Sequence, residues 1–232
     1  KKGHFIYDSF LSEDVVDILV DKHGKPDFIT FTNVFAHIEN LNEVLNSVKK
    51  LIKGNTIIVI ENHYLGSVLD GNQFDTFYHE HPRTYSYESF VHMAETLGVS
   101  VLDVEFPSRY GGNIRVFLGE RGGICYANSV DLRELKKKES KFFEKFSNLQ
   151  SNILSWQSSK YQFLEKQFQK YGKIRAKAFP GRSAILVKLL GLDERLISAV
   201  YEKPGSLKVG HYLPGTRIPI LDDDDLFNDS DQ

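Results

Sequence analysis

Two β-rich runs with a helical stripe between them constrain this chain most. Residues 28–32 read Phe-Ile-Thr-Phe-Thr and residues 56–60 read Thr-Ile-Ile-Val-Ile, dense in β-branched and aromatic side chains. The stretch from Asp27 to Thr32 alternates little in polarity, which predicts a buried parallel strand. Thr56 to Glu61 predicts a second strand. Between them Leu41, Val44, Leu45, Val48 and Leu51 recur at helical spacing, and Gly54-Asn55 marks the stop. Strand, helix, strand is a βαβ unit, so the two strands are expected to run parallel with a right-handed connection.

The pattern continues downstream. Tyr87 to Leu97 reads as an amphipathic helix stopped at Gly98. Val99 to Phe106 reads as a strand, and Asn113 to Leu118 as its antiparallel partner. Gly119 to Asn128 is a glycine-rich loop. Leu132 to Tyr171 carries apolar residues mostly three and four apart, which predicts a long helix with a break near Ser151. Its stripe admits two readings, a helix packed across two domains and a homodimer seam. Lys173 to Phe179 and Leu196 to Tyr201 read as strands around a short helix, Ala184 to Leu190, a half-Rossmann pattern. Asp222 to Asp225 and the polar residues after them read as a solvated acidic tail. The expected architecture is α/β in three parts: residues 1–120, a loop and linking helix at 121–171, and a small Rossmann-like unit at 172–232.

Composition narrows the function classes. The net charge of -2 gives no electrostatic case for a nucleic-acid partner. A single cysteine, Cys125, rules out an internal disulfide framework and a multi-cysteine zinc site within these residues, and fits a cytoplasmic chain. No apolar run approaches the ~20 residues that span a bilayer, and no signal peptide is visible. The chain opens on Lys1-Lys2 rather than Met, so it is expected to start inside a longer protein or after processing.

The densest chemistry lies at Gln73-Phe74-Asp75-Thr76-Phe77-Tyr78-His79-Glu80-His81. It comes after the second strand, and α/β sheets place chemistry beyond strand ends. If the segment turns helically, Tyr78 and His81 share a face. A phenol beside an imidazole can move a proton. The competing readings are an ordinary polar turn and a divalent metal site built by His79 and His81 with Glu61, His63 or His37. No second ligand pair is evident, so the metal reading ranks below acid–base chemistry.

The same stretch resembles the FDT-x-YHEH motif of the sugar C-methyltransferases, which act on nucleotide-linked keto sugars. Asn33-Val34-Phe35-Ala36-His37-Ile38 resembles their NV-x-AHI segment. Tyr110-Gly111-Gly112-Asn113-Ile114-Arg115 is similar to their HGGSLR, with Tyr110 in place of His. His211 to Ile220 is similar to their YLPGTHIPI, with Arg217 in place of His. The resemblance runs over nearly the whole chain. It implies the second half of a class I methyltransferase-like sheet, with S-adenosyl-L-methionine as methyl donor and a nucleotide-linked 4-keto deoxysugar as substrate. His81 is the implied base. Tyr78 would hold the enolate oxygen, Glu80 would orient a partner or hold hydroxyls, and His37 would reach the same pocket. Gly111, Gly112, Asn113 and Arg115 are implied substrate contacts, and Asn33, Phe35 and Ala36 donor contacts. The family's glycine-rich donor loop and Cys-rich zinc module do not occur in these residues, so zinc is expected only in an upstream module. A non-catalytic nucleotide-sugar-binding or scaffolding unit is the alternative expectation.

Overall fold

A computed structural model describes residues 3–120 and 130–228. Cys125 and most of the expected 119–128 loop lie outside the described residues. The chain divides into two units, Lys1–Gln73 with His79–Phe146, and Phe74–Tyr78 with Ser147–Gln232.

The first unit begins with a helix that the sequence reading missed, α1 (Glu13–His23), capped by Ser12. Strand β1 (Phe28–Thr32) comes next, then helix α2 (Leu41–Leu51), capped by Asn40, and strand β2 (Ile57–His63). β1 and β2 are parallel, so the βαβ expectation holds. β1 is not buried, however. Among the described residues it pairs only with β2, and of its side chains only Ile29 is buried, while Phe28 is 67% exposed. A run without alternation predicts neighbours on both faces, and here β1 is an edge strand.

β2 runs two residues past the expected end, which adds Asn62 and His63 to the ladder alongside Glu61. A short helix, α3 (Leu65–Asp70), then separates the strand from the aromatic and histidine stretch. With six residues and a glycine, α3 carries too little periodicity to be read from sequence. Its Gly66 is required by packing: a Cβ there would lie 2.2 Å from the Tyr64 ring. Phe74–Thr76 forms only a 3₁₀ turn, and residues 77–81 are turn and irregular. The helical face proposed for Tyr78 and His81 therefore does not exist.

Helix α4 (Tyr87–Leu97) is closed by a Ser86–Ser89 capping box and by Gly98 at φ 76°. β3 (Ser100–Glu105) and β4 (Asn113–Gly119) form the expected antiparallel pair. The sheet order is β1-β2-β4-β3, with β4 antiparallel to both neighbours. Ile58, Ile60, Ile114, Val116 and Leu118 share one face, each at most 1% exposed. Burying each such side chain contributes about 1.5–3 kcal/mol.

Helix α5 (Leu132–Glu139) and helix α6 (Phe142–Tyr171) replace the single long helix. The break falls at Ser140-Lys141, not Ser151. Ser151 sits mid-helix with its hydroxyl donating to the Asn148 carbonyl, so it does not interrupt α6. Glu139 ends α5 for a reason: its buried carboxylate accepts from Tyr64 Oη at 3.0 Å and from the Tyr87 and Glu88 amides at 2.7 and 3.1 Å. It thereby caps α4 from another helix, where the macrodipole favours an anion. Burial pushes the Tyr64 phenol far up, and the neighbouring Glu139 adds to this, so Tyr64 stays a donor. Glu139→Ala is expected to cost about 2–3 kcal/mol, because three donors lose their acceptor together. Urea denaturation measures that loss, and hydrogen exchange at the Tyr87 and Glu88 amides should accelerate with it.

In the second unit β5 (Ile174–Lys177), helix α7 (Ser183–Leu190) and β6 (Ile197–Glu202) form the small βαβ unit expected. A third parallel strand, β7 (Ile220–Asp222), was missed. The Asp run is not a solvated tail. Asp222 ends β7, and Asp223 to Asp225 form the first turn of α8 (Asp223–Asn228), where carboxylates suit the helix dipole. Asp223 also pairs with Lys177 at 3.1 Å. Phe179, Ile197, Val200, Leu213, Ile218 and Ile220 form the core, so the His211–Ile220 motif is structural at its apolar positions.

Candidate active site

Glu61 organises the carboxyl end of β2. On a strand, Glu61 and His63 face the same side, and the antiparallel register sets Arg115 opposite Glu61 and Asn113 opposite His63. The Glu61 carboxylate is 2% exposed. It accepts from Arg109 Nη2 at 2.7 Å, Asn113 Nδ2 at 2.8 Å and Arg115 Nε at 2.9 Å. Burial pushes its carboxyl up, but hydrogen bonds from Asn113, Arg115 and Arg109 outweigh that and hold it below the usual range. Arg115 also binds Glu105 at 2.6 Å. Its guanidinium is thus held between two carboxylates, and the role it shows is to neutralise Glu61 rather than to offer a free cation to phosphate. Asn113 is fully buried and donates to Asn33 Oδ1 at 3.3 Å as well.

Asn33 ends β1 at φ 53°, and its amide donates to the Glu61 carbonyl at 2.7 Å. Of the three expected donor contacts it is the half-exposed one. Phe35 and Ala36 are core residues. The Phe35 ring meets Phe31 and Tyr85 at 4.9 and 6.2 Å, and its carbonyl accepts from Tyr85 Oη at 3.0 Å. Burial pushes the Tyr85 phenol up to about 12.

Gly111 and Gly112 sit at φ 84° and 121°. A Cβ on Gly111 would meet the Gln73 amide at 2.8 Å, and one on Gly112 the Ser67 hydroxyl at 2.3 Å. Both glycines are required by this turn itself, whatever approaches it. Gln73 Nε2 donates to the Gly111 carbonyl at 2.9 Å, so its Oε1 faces His63 Nε2 at 2.8 Å. With Gln73 in that orientation, the His63–Gln73 hydrogen bond needs a proton on His63 Nε2.

His37 ends a 3₁₀ turn at Phe35–His37, and its ring lies 4.7 Å from the His81 ring at an interplanar angle of 71°. Arg83 fixes the approach by donating to the Ile38 carbonyl and to the Glu39 carbonyl at 3.0 Å. Residues far apart in sequence thus converge beyond the end of β1. Glu80 is exposed, 3.8 Å from His79. Tyr78 is half-buried and belongs to the second unit. Asp75, also in that unit, pairs with Arg182 at 3.2 Å, and Phe74 meets Trp156 at 5.0 Å.

Beside His37 opens a groove of about 560 Å³ with Phe31, Val34, Ile38 and Val44 on its walls and Glu39 and Glu43 among its lining. Among the described residues no group of three or more His, Cys, Asp or Glu is placed to hold a metal ion. No described helix is long and apolar enough to cross a membrane.

The sequence reading missed Glu61 as an organising carboxylate, and with it Arg109 and the pairing of Gln73 with His63. One signal was available: a carboxylate at the end of an apolar strand is almost never buried unless paired.

A general methyltransferase-domain profile matches residues 5–104. The C-methyltransferase NovU of Streptomyces niveus is 28% identical over 210 residues, covering 89% of this chain and 50% of that protein. The chain therefore spans about half the length of the curated relative it matches. The profile of the C-methyltransferase C-terminal domain matches residues 108–232, more than half of the sequence, and the chain belongs to that family.

Proposed function

We propose that this chain forms part of an S-adenosyl-L-methionine-dependent enzyme that methylates a carbon of a nucleotide-linked 4-keto deoxysugar. The observation that carries this reading is the His37–His81 pair, two imidazoles at 4.7 Å beside an apolar groove at a strand end. Methylating carbon needs a carbon nucleophile. His81 takes the proton from the carbon next to the ketone, leaving an enolate. Tyr78 donates a hydrogen bond to the enolate oxygen, Glu80 holds a sugar hydroxyl, and His37 steadies the imidazolium edge-on. The donor, when bound, supplies an electrophilic methyl in line with the enolate carbon. Phe31, Val34 and Asn33 are what these residues offer it, and Glu39 and Glu43 complement its positive charge. A cytoplasmic setting belongs to the same proposal, and the single cysteine in the sequence supports it.

The stripe of Leu154, Tyr161 and Phe168 on α6 recurs every seven residues and is exposed, which supports pairing with a second copy.

The test is methyl transfer by the full-length protein from isotopically labelled donor to a nucleotide-linked 4-keto sugar, with the product assigned by NMR. Label on a sugar carbon is the expected result. Label on oxygen or nitrogen, or none, overturns the reading.

A further inference from the structure

The turn before β4 holds one bulky residue in a conformation that bulky residues avoid. Tyr110 sits at φ 54°, ψ 28°, in the left-handed region that favours glycine. Its neighbours fix it there. The Gly112 amide donates to the Arg109 carbonyl at 2.9 Å, and the Tyr64 amide donates to the Gly112 carbonyl at 3.1 Å. Gln73 binds the Gly111 carbonyl, and Arg109 is bound to buried Glu61. The Tyr110 side chain is nonetheless 68% exposed. It takes part in none of the hydrogen bonds or ring contacts found among the described residues. A glycine or asparagine would make the same turn at lower cost, so a strained, mostly exposed tyrosine needs a reason outside the fold.

We propose that Tyr110 is a stacking platform for the base of the nucleotide carried by the substrate. This rests on the nucleotide-linked substrate proposed above and adds the residue that selects for its nucleotide end. A tyrosine face offers a flat ring partner at little conformational cost, and it accepts any base, since every base has a π face. The clamped turn holds that face outward before ligand arrives. Gly111 and Gly112 beside it add no side chain that could cover it.

The test is isothermal titration of the full-length protein with UDP, dTDP, GDP, inorganic pyrophosphate and glucose 1-phosphate. Wild type is expected to bind its preferred nucleoside diphosphate more tightly than pyrophosphate or glucose 1-phosphate. Tyr110→Gly should weaken that nucleotide about tenfold, leave pyrophosphate unchanged, and raise Tm by relieving the backbone. Tyr110→Phe keeps the ring and should keep the affinity. A residue that only shapes the turn would not gain stability while losing a ligand. Unchanged nucleotide affinity in Tyr110→Gly overturns the platform alone. Equal weakening of nucleotide and pyrophosphate also overturns it, since the turn rather than the ring would then be responsible. A wild type that does not prefer any nucleotide over pyrophosphate removes the platform and the nucleotide-linked substrate together.

Discussion

His81→Asn is expected to lower methyl transfer by about 10²–10⁴-fold while substrate affinity stays near wild type. Asn keeps polarity and much of the volume, but it cannot take up a proton near neutral pH. The His37–His81 contact is between rings, so the smaller side chain leaves Arg83 and its carbonyl partners in place. The loss should therefore fall on the chemical step and not on the loop. Solvent-deuterium exchange at the substrate carbon, run without methyl donor, isolates that step. Wild type should exchange the proton and His81→Asn should not. Tyr78→Phe should exchange more slowly than wild type, since one hydrogen bond to the enolate oxygen is lost while the base remains. Normal exchange in His81→Asn would move the base to His37 or Tyr78.

Periodicity and motif limit how much of this fold and site can be read from sequence. The βαβ unit was legible because Leu41 to Leu51 has a full helical stripe between two β-rich runs. Helix α4 was legible to the residue because Gly98 ends it in a left-handed turn. The short α3 and β7 were not, since six and three residues hold too little pattern. The Ser140-Lys141 break was hidden for another reason. It is set by what Glu139 binds on α4, a tertiary cause with no local sign. The site divides in the same way. His37 and His81 stood out as residue types, but Arg83 brings them together by bonding backbone carbonyls, which carry no sequence signature. Arg115 and Asn113 entered as substrate contacts through the resemblance of residues 110–115 to a family motif. Their partners are Glu61 and Glu105, and only the antiparallel register of β2 and β4 shows it. Phe35 and Ala36, next to Asn33 in sequence, are turned into the core by the 3₁₀ turn.

Glu61→Ala should destabilise the first unit by about 3–5 kcal/mol, the usual cost of removing one partner from a buried ion pair. The fully buried Asn113 amide loses its strongest acceptor, and Arg109 and Arg115 lose the carboxylate between them. Arg109 is more than half exposed and can turn to water; Asn113 cannot. Glu61→Gln keeps the shape and one acceptor, so it should cost less at neutral pH and should differ most in its pH response. The folded Glu61 carboxyl lies below its unfolded value near 4.5, so the folded state favours the charged form. Its contribution is complete above about pH 4.5 and is lost as pH falls through the lower folded value. Wild type should therefore lose stability on acidification through that window, and Glu61→Gln should lose less, as read by urea midpoints from neutral pH down to about 3. Parallel acid limbs for the two proteins would show that Glu61 is not held as an anion. Because Arg109 is the Glu61 partner that precedes Tyr110, Glu61→Ala should also loosen the left-handed turn. Combined with Tyr110→Gly, the Tm gain from relieving that turn should then shrink, since contacts sharing one network do not add. An additive double variant would mean that the turn holds Tyr110 without help from Glu61.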